Sequence, residues 1–328
     1  LRFFKIIRSV EWWEYKLPPL LAIGYATALK TEGVFMMAIP QLLFLLFALV
    51  IGAVYVSIIN DMTDIEADLA SGKANRMVGI RPGIRWVFPA MCLLAGLVCG
   101  YFLYPDRLSI LLYLIPWISF SLYSFRPVRL KNRKIWGVLA DASGSHIFTS
   151  LLMVSSISEV TGQSIDWLWF WSTGVWALCY GSRGILWHQF YDRKNDIQAG
   201  LNTYAVNILP DRFRNKEITI FCIELAAIAT MLFSLQLLLP VLFLLLYAVL
   251  AVIRSKRLHY VPVLIISPEN RPFHILMADF YQVFFPLALL VTAAFVQPYA
   301  WIILLAQLVL FPQKTITAIK DFKPLFSR

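Results

Sequence analysis

Apolar residues fill this chain in runs of about 20, the length that crosses the hydrocarbon of a bilayer as a helix, broken by short polar stretches. The runs predict helical spans at 16–33, 34–60, 84–104, 108–125, 136–158, 165–190, 217–235, 237–254, 273–296 and 299–314, the last one short. No polar stretch between them is long enough for a second core, so the pattern predicts one domain over residues 1–328. The expected fold class is all-α: a multi-pass transmembrane helical bundle with a central cavity.

Two of the runs end abruptly in carboxylates, which membrane anchoring does not require. Ile59-Asn60-Asp61-Met62-Thr63-Asp64-Ile65-Glu66-Ala67-Asp68 closes the second run. If the helix continues through it, Asp61, Asp64 and Asp68 stand at i, i+3 and i+7, within about 60° of one another around the axis. Three carboxylates on one stripe repel unless they hold a hard cation, and Mg2+ is the usual choice when one or two carboxylates share it with a phosphate. Asn60 can add a neutral carbonyl ligand or orient a water. The sixth run ends in Trp187-His188-Gln189-Phe190-Tyr191-Asp192-Arg193-Lys194-Asn195-Asp196, with Asp192 and Asp196 at i and i+4. A single aspartate at a helix end is commonly a cap, but two such clusters at corresponding places point to one site holding several metals.

Composition agrees with the pattern and charge gives it a direction. Of 328 residues 59% are hydrophobic and 15% charged, with a mean hydropathy of +0.70, which excludes a soluble globular protein. The four cysteines lie inside apolar runs without metal-ligand spacing and read as small buried hydrophobes. The N-terminus carries Arg2, Lys5 and Arg8 among Trp, Glu and Tyr with no cleavage site, unlike a removable signal peptide, and its start at Leu1 suggests trimming. The formal charge of +10 is not spread as a nucleic-acid surface would be: it gathers in the loops after spans 2, 4, 6 and 8, with Lys30 and Arg107 alone in the loops between. By the positive-inside rule the basic loops, both acidic clusters and both termini face the cytoplasm. One cytoplasmic mouth then holds metal ligands beside cations, and its natural guest is a polyanion with a greasy tail: an isoprenoid diphosphate, with the tail between helices.

An allylic diphosphate ionises when its leaving group is neutralised, which Mg2+ achieves as a Lewis acid on the departing oxygens. Asp61, Asp64, Asp192 and Asp196 are therefore the expected catalytic carboxylates. Lys73 and Arg76 can clamp the diphosphate, unless they are ordinary topology charges. Tyr123, Arg129 and Lys131, closing span 4, can reach phosphate oxygens, and Lys16 is a further candidate. Arg183 lies nine residues before Asp192, about 13 Å deeper, and needs a partner there: either an acceptor carboxylate or Asp141 in span 5. His188 and His146 read as a base or as packing histidines. Cavity-facing aromatics can stabilise an allylic cation through their π faces.

These motifs make the chain resemble the UbiA superfamily of intramembrane aromatic prenyltransferases. Asn60, Asp61, Asp64 and Asp68 match its NDxxDxxxD motif without a gap, Asp192 and Asp196 match its DxxxD, and Tyr123 with Lys131 is similar to its Tyr-plus-Lys element at a longer spacing than YxxxK. The resemblance implies nine spans rather than ten, with one span and a surface helix in 273–314. It also implies Mg2+-dependent transfer of a prenyl group to a lipophilic, aromatic or quinone-precursor acceptor. Gly72-Lys73-Ala74-Asn75-Arg76-Met77 follows the first motif where quinone-pathway members carry RTxxRP, so the acceptor is not implied. The same metal motifs also serve a membrane terpene cyclase, a lipid-phosphate phosphoribosyltransferase, or an ion-binding transporter without catalysis.

Overall fold

The computed structural model describes residues 9–31, 33–70, 72 and 74–323, with side chains from Trp12 onward. Arg2, Lys5, Arg8, Lys73 and Arg328 lie outside the described residues. Each predicted span holds a helix. The chain runs α1 Ser9–Leu29, α2 Phe35–Thr63, α3 Ile65–Ala70, α4 Pro82–Arg85, α5 Val87–Phe102, α6 Arg107–Ser124, α7 Ile135–Ala142, α8 Phe148–Val160, α9 Trp167–Tyr191 and α10 Arg193–Gln198. It continues through α11 Pro210–Leu235, α12 Leu238–Lys256, β1 Val261–Val263, β2 Phe273–Ile275, α13 Phe285–Val296, α14 Ala300–Leu310 and α15 Pro312–Asp321.

Among the described residues six helices are long and apolar enough to cross a membrane: α2, the joined 82–102 and 135–160 segments, α6, α11 and α12. A seventh follows if α14 and α15, bent by 84°, form one broken span. The remaining long helices fall short for a physical reason. Glu14, Lys16, Pro18 and Pro19 in α1, and the Ser, Arg, His, Gln and Trp residues of α9, lower their hydropathy. Both are helices of the interior: Ala22, Ile23, Ala26 and Ala28 of α1 and Trp169, Trp176 and Ala177 of α9 are at most 1% exposed. A helix packed on protein need not be apolar toward lipid.

Burial ranks the layers. In the 135–160 segment 72% of the apolar stretch is inside the protein, against 17% in 82–102, so α8 is central and α5 peripheral. α9 packs along α11, and α1 along α8 and α13. Two helices carry a π turn, at Ser143–Ile147 between α7 and α8 and at Phe280–Phe284 before α13; such bulges let one extra residue project toward a site.

Two expectations are corrected. The all-α class holds except for a small parallel pair in which Val261 faces Phe273 and Val263 faces Ile275. The ninth span also starts later than residue 273: β2 and a turn come first, and the helix opens at Ala278. Pro262 inside β1 and Pro272 just before β2 disfavour a helix there.

Candidate active site

The first acidic cluster sits where α2 ends. Asp61 is in its last turn and 3% exposed, Asp64 is the residue after Thr63, and Asp68 lies in α3. The i to i−4 ladder persists across the break, with Asp64 N donating to Asn60 O at 3.0 Å and Asp68 N to Asp64 O at 2.8 Å, so the stripe expected of a continuous helix is largely kept. What differs is how its charge is balanced. Arg76 Nη1 is 3.4 Å from Asp61 Oδ2. Asn75 Nδ2 donates to Asp68 Oδ2 at 2.7 Å and to the Asp61 carbonyl at 2.8 Å. The loop after α3 therefore folds back on the carboxylates, and Asn75, overlooked from sequence because it carries no charge, holds it there.

The loop after α6 closes the other side. Arg129 Nη2 donates to Asp64 Oδ1 at 3.1 Å and to the Thr63 carbonyl at 3.3 Å. Lys131, 7% exposed, makes an ion pair with the same Asp64 oxygen. Ser124 Oγ donates to Asn60 Oδ1 at 2.6 Å, locking the ends of α2 and α6 together and leaving that carbonyl one lone pair for another partner. Arg129 (φ 40°) and Lys134 (φ 51°) adopt left-handed backbone on either side of Lys131, a conformation that costs about 1 kcal/mol or more for a residue with a Cβ. Gly137 permits the loop's position, because a Cβ there would lie 2.8 Å from the Leu130 carbonyl oxygen and 3.0 Å from Lys131 Cα.

The second cluster meets the first at this loop. Asp192 caps the end of α9 and Asp196 lies in α10, its Oδ2 accepting from Thr203 Oγ1 at 3.1 Å. Thr203 pairs through its backbone with Lys134, and Lys134 N donates to Asn202 O at 3.3 Å. Buried Gln189 braces the return, its Oε1 accepting from the amides of Tyr204 and Ala205 at 3.1 and 3.4 Å. Burial pushes the Lys131 ammonium down to about 8, while the charge of Asp196 acts the other way. Lys131 thus touches Asp64 and feels Asp196; Tyr123 lies within electrostatic reach of Asp196 and Asp141. Carboxylates about 130 positions apart in sequence share one mouth.

Among the described residues no three His, Cys, Asp or Glu side chains gather closely enough to hold a metal by themselves. The donors present, single carboxylate oxygens and an amide carbonyl, suit a hard cation that takes one or two carboxylates and fills its shell with phosphate and water. Arg129 Nε is buried without a partner, a donor left over after Asp64 is served.

Arg183 does something else. Its Nη1 pairs with Glu224, Nε and Nη2 donate to the Leu264 carbonyl at 3.2 and 3.1 Å, and Nη2 donates to the Leu276 carbonyl at 2.7 Å. The partner is neither Asp141 nor a waiting acceptor carboxylate but Glu224, which α11 carries within an apolar run. Tyr281 Oη also donates to Glu224, at 3.0 Å.

Two hollows lie among the helices. An apolar groove of about 120 Å³ runs between α1, α2, α6 and the 144–152 segment, past Lys16, Tyr55, Tyr113, Trp117 and Phe120. A larger cavity of about 600 Å³ lies along α9, lined by Asp141, His146, His188, Arg254, His274 and Gln282 among others, and Lys16 lines both.

A model of the UbiA prenyltransferase family matches residues 17–263. A UbiA homolog from Archaeoglobus fulgidus bound to DMAPP and Mg2+ shares the fold with a TM-score of 0.56 at 14% identity, over 90% of this chain and 99% of that one. A structure of a UbiA homolog from the same organism bound to GPP and Mg2+ gives a TM-score of 0.54 at 14% identity, again over 90% and 99%. No curated protein matches the chain. At this identity the solved structures speak for the fold, whereas the family match spans most of the chain and takes in both acidic motifs: the chain belongs to the UbiA prenyltransferase family.

Proposed function

We propose that the chain transfers the prenyl group of an isoprenoid diphosphate to a lipophilic or aromatic acceptor inside the membrane, with Mg2+. The observation that carries this reading is Lys131, tied to Asp64 and within the field of Asp196, which supports reading the two motifs as one anion site. Asn60, Asp61, Asp64, Asp68, Asp192 and Asp196 would hold the metal, which when bound neutralises the departing diphosphate. Arg76, Arg129, Lys131 and Tyr123 grip the phosphate oxygens, with the unpartnered Arg129 Nε as a ready donor; Lys73, on the same loop as Arg76, is assigned this role from sequence. Arg183 is left out, because its donors are engaged within the protein. The prenyl tail lies in the groove, where Tyr55, Trp117 and Phe120 offer π faces to an allylic cation.

α1, α9 and α13 cross the bilayer with the apolar helices, α15 lies at its surface, and the mouth faces the cytoplasm beside the basic loops. The DMAPP and GPP bound by the Archaeoglobus fulgidus UbiA homologs support a short allylic diphosphate as donor. The test is Mg2+-dependent release of diphosphate from geranyl diphosphate by purified protein. Asp64→Ala should abolish it, and retained turnover in that variant would refute the assignment. A cyclic hydrocarbon formed from geranyl diphosphate alone would indicate a cyclase, and cation flux without diphosphate release a transporter.

A further inference from the structure

The larger cavity holds a set of polar groups that the protein does not satisfy. His274 is 6% exposed, lines the cavity, and has neither Nδ1 nor Nε2 in a hydrogen bond. A buried side chain with two unpartnered ring nitrogens is costly unless a ligand supplies the partners. Gln282, 7% exposed, gives its Nε2 to Tyr180 Oη at 2.9 Å and keeps Oε1 without a partner. Trp187 Nε1, in the same wall, is also buried and unpartnered. Both π turns of the fold flank this space: one contributes His146, packed edge-on to Tyr180 with centroids 5.1 Å apart, and the other contributes Gln282.

The cations in the wall set the ligand's charge. Arg183 is held by Glu224, and Arg254 is held by Asp279 and, at 2.9 Å, by Asp321. Neither buried guanidinium awaits a carboxylate. Lys314 lies over the Tyr15 ring at 4.3 Å, and Lys16 stands where the cavity and the prenyl groove share a wall. Burial, then the Arg254 charge, push the His274 imidazole down, outweighing Asp279 and Asp321, so it is neutral and presents one donor and one acceptor. An ionised carboxylate only accepts; a hydroxyl does both.

We propose that this cavity receives the acceptor and that His274, helped by Gln282 and Trp187, selects an uncharged acceptor bearing hydroxyl groups over a carboxylated one. The inference rests on the prenyl-transfer reading and adds the acceptor's chemical class and its recognition residues. His274 is a binding and specificity residue.

The test uses the full chain in detergent with Mg2+ and geranyl thiodiphosphate, which binds without ionising. Two probes share a ring and one hydroxyl and differ at the para position: hydroquinone and 4-hydroxybenzoate. Hydroquinone should bind at least tenfold tighter. His274→Leu should weaken hydroquinone at least tenfold and leave Mg2+-dependent thiodiphosphate binding unchanged, which also reports that the variant is folded; His274→Gln, which keeps a donor and an acceptor, should recover part of the loss. Equal or tighter binding of 4-hydroxybenzoate, binding of neither probe, or His274→Leu that binds hydroquinone like wild type overturns the proposal. Failure of the wild type to bind thiodiphosphate would instead overturn the prenyl-transfer reading, while His274-dependent hydroquinone binding would still be measurable.

Discussion

Replacing Arg183 by Met separates a structural arginine from a substrate-binding one. The guanidinium is 2% exposed and its partner Glu224 is fully buried. Removing one member of a buried pair strands the other charge, at about 3–5 kcal/mol. Arg183→Met also leaves the carbonyls of Leu264 and Leu276 without the donor they share, worth about 1–3 kcal/mol more. The expected cost is therefore about 5 kcal/mol, a large share of the stability of most domains. In Arg183→Met/Glu224→Met the stranded charge is gone and only the carbonyls and the Tyr281 hydroxyl lack partners, so the double variant should be more stable than Arg183→Met by about 2–3 kcal/mol. The assay is reversible unfolding in mixed micelles for the wild type, both single variants and the double. An Arg183→Met variant within about 1 kcal/mol of wild type, or a double variant as unstable as the sum of the singles, would refute the reasoning. Such a result would return Arg183 to the acceptor.

Four further outcomes follow from the geometry. Gly137→Ala places a Cβ against the backbone of Leu130 and Lys131, so it should displace the loop and cut diphosphate release at least tenfold although it removes no phosphate contact; affinity for geranyl thiodiphosphate should fall in parallel. Asn75→Leu removes the hydrogen bonds to Asp68 and the Asp61 carbonyl and should raise the Mg2+ concentration for half-maximal activity roughly tenfold, the scale on which groups that orient metal ligands act. Glu14 accepts from the amides of Gln313 and Lys314 at 2.9 and 2.8 Å, capping the first turn of α15; Glu14→Ala should cost about 1–2 kcal/mol and speed tryptic cleavage at Lys314 and Lys320. Asp166 accepts from Leu168 N, Trp169 N and Lys30 Nζ; burial pushes its carboxyl up, but these partners prevail and hold it below the usual range. Its contribution, about 1 kcal/mol as a helix cap, is present above the unfolded-state value near 3.9 and is lost as pH falls through the lower folded value, so Asp166→Ala and wild type should converge in stability in acid.

The helices and the acidic mouth were legible in the sequence because both are written locally. Apolar runs of fixed length mark spans whatever their neighbours, and the spacing of Asp61, Asp64 and Asp68 survives a break in the helix because the backbone ladder continues across it. α1 and α9 were recognised as helices, yet their polar content says interior rather than lipid-facing only once their neighbours are known. Pairings set by tertiary packing were not legible. Nothing near Arg183 names Glu224, 41 positions away on another helix, and nothing near Asn60 names Ser124. Asn75 and Gln189 act through hydrogen bonds to backbone groups and His274 lines a half-open cavity, and a neutral residue in a loop or at a span edge carries no periodic signal of that. The late start of the ninth span has the same origin: Val261–Val263 and Phe273–Ile275 become strands by pairing with each other.

The central claim is that both acidic motifs serve one anion, and a double-mutant cycle on Mg2+-dependent binding of geranyl thiodiphosphate tests it directly. Asp64→Asn and Asp196→Asn should each weaken binding roughly 100-fold or more, as loss of a charged metal ligand implies. The double variant should bind about as weakly as either alone, because residues acting as a unit are not additive. Losses that add in free energy, or an Asp196→Asn variant that binds like wild type, would contradict the account and separate the two motifs.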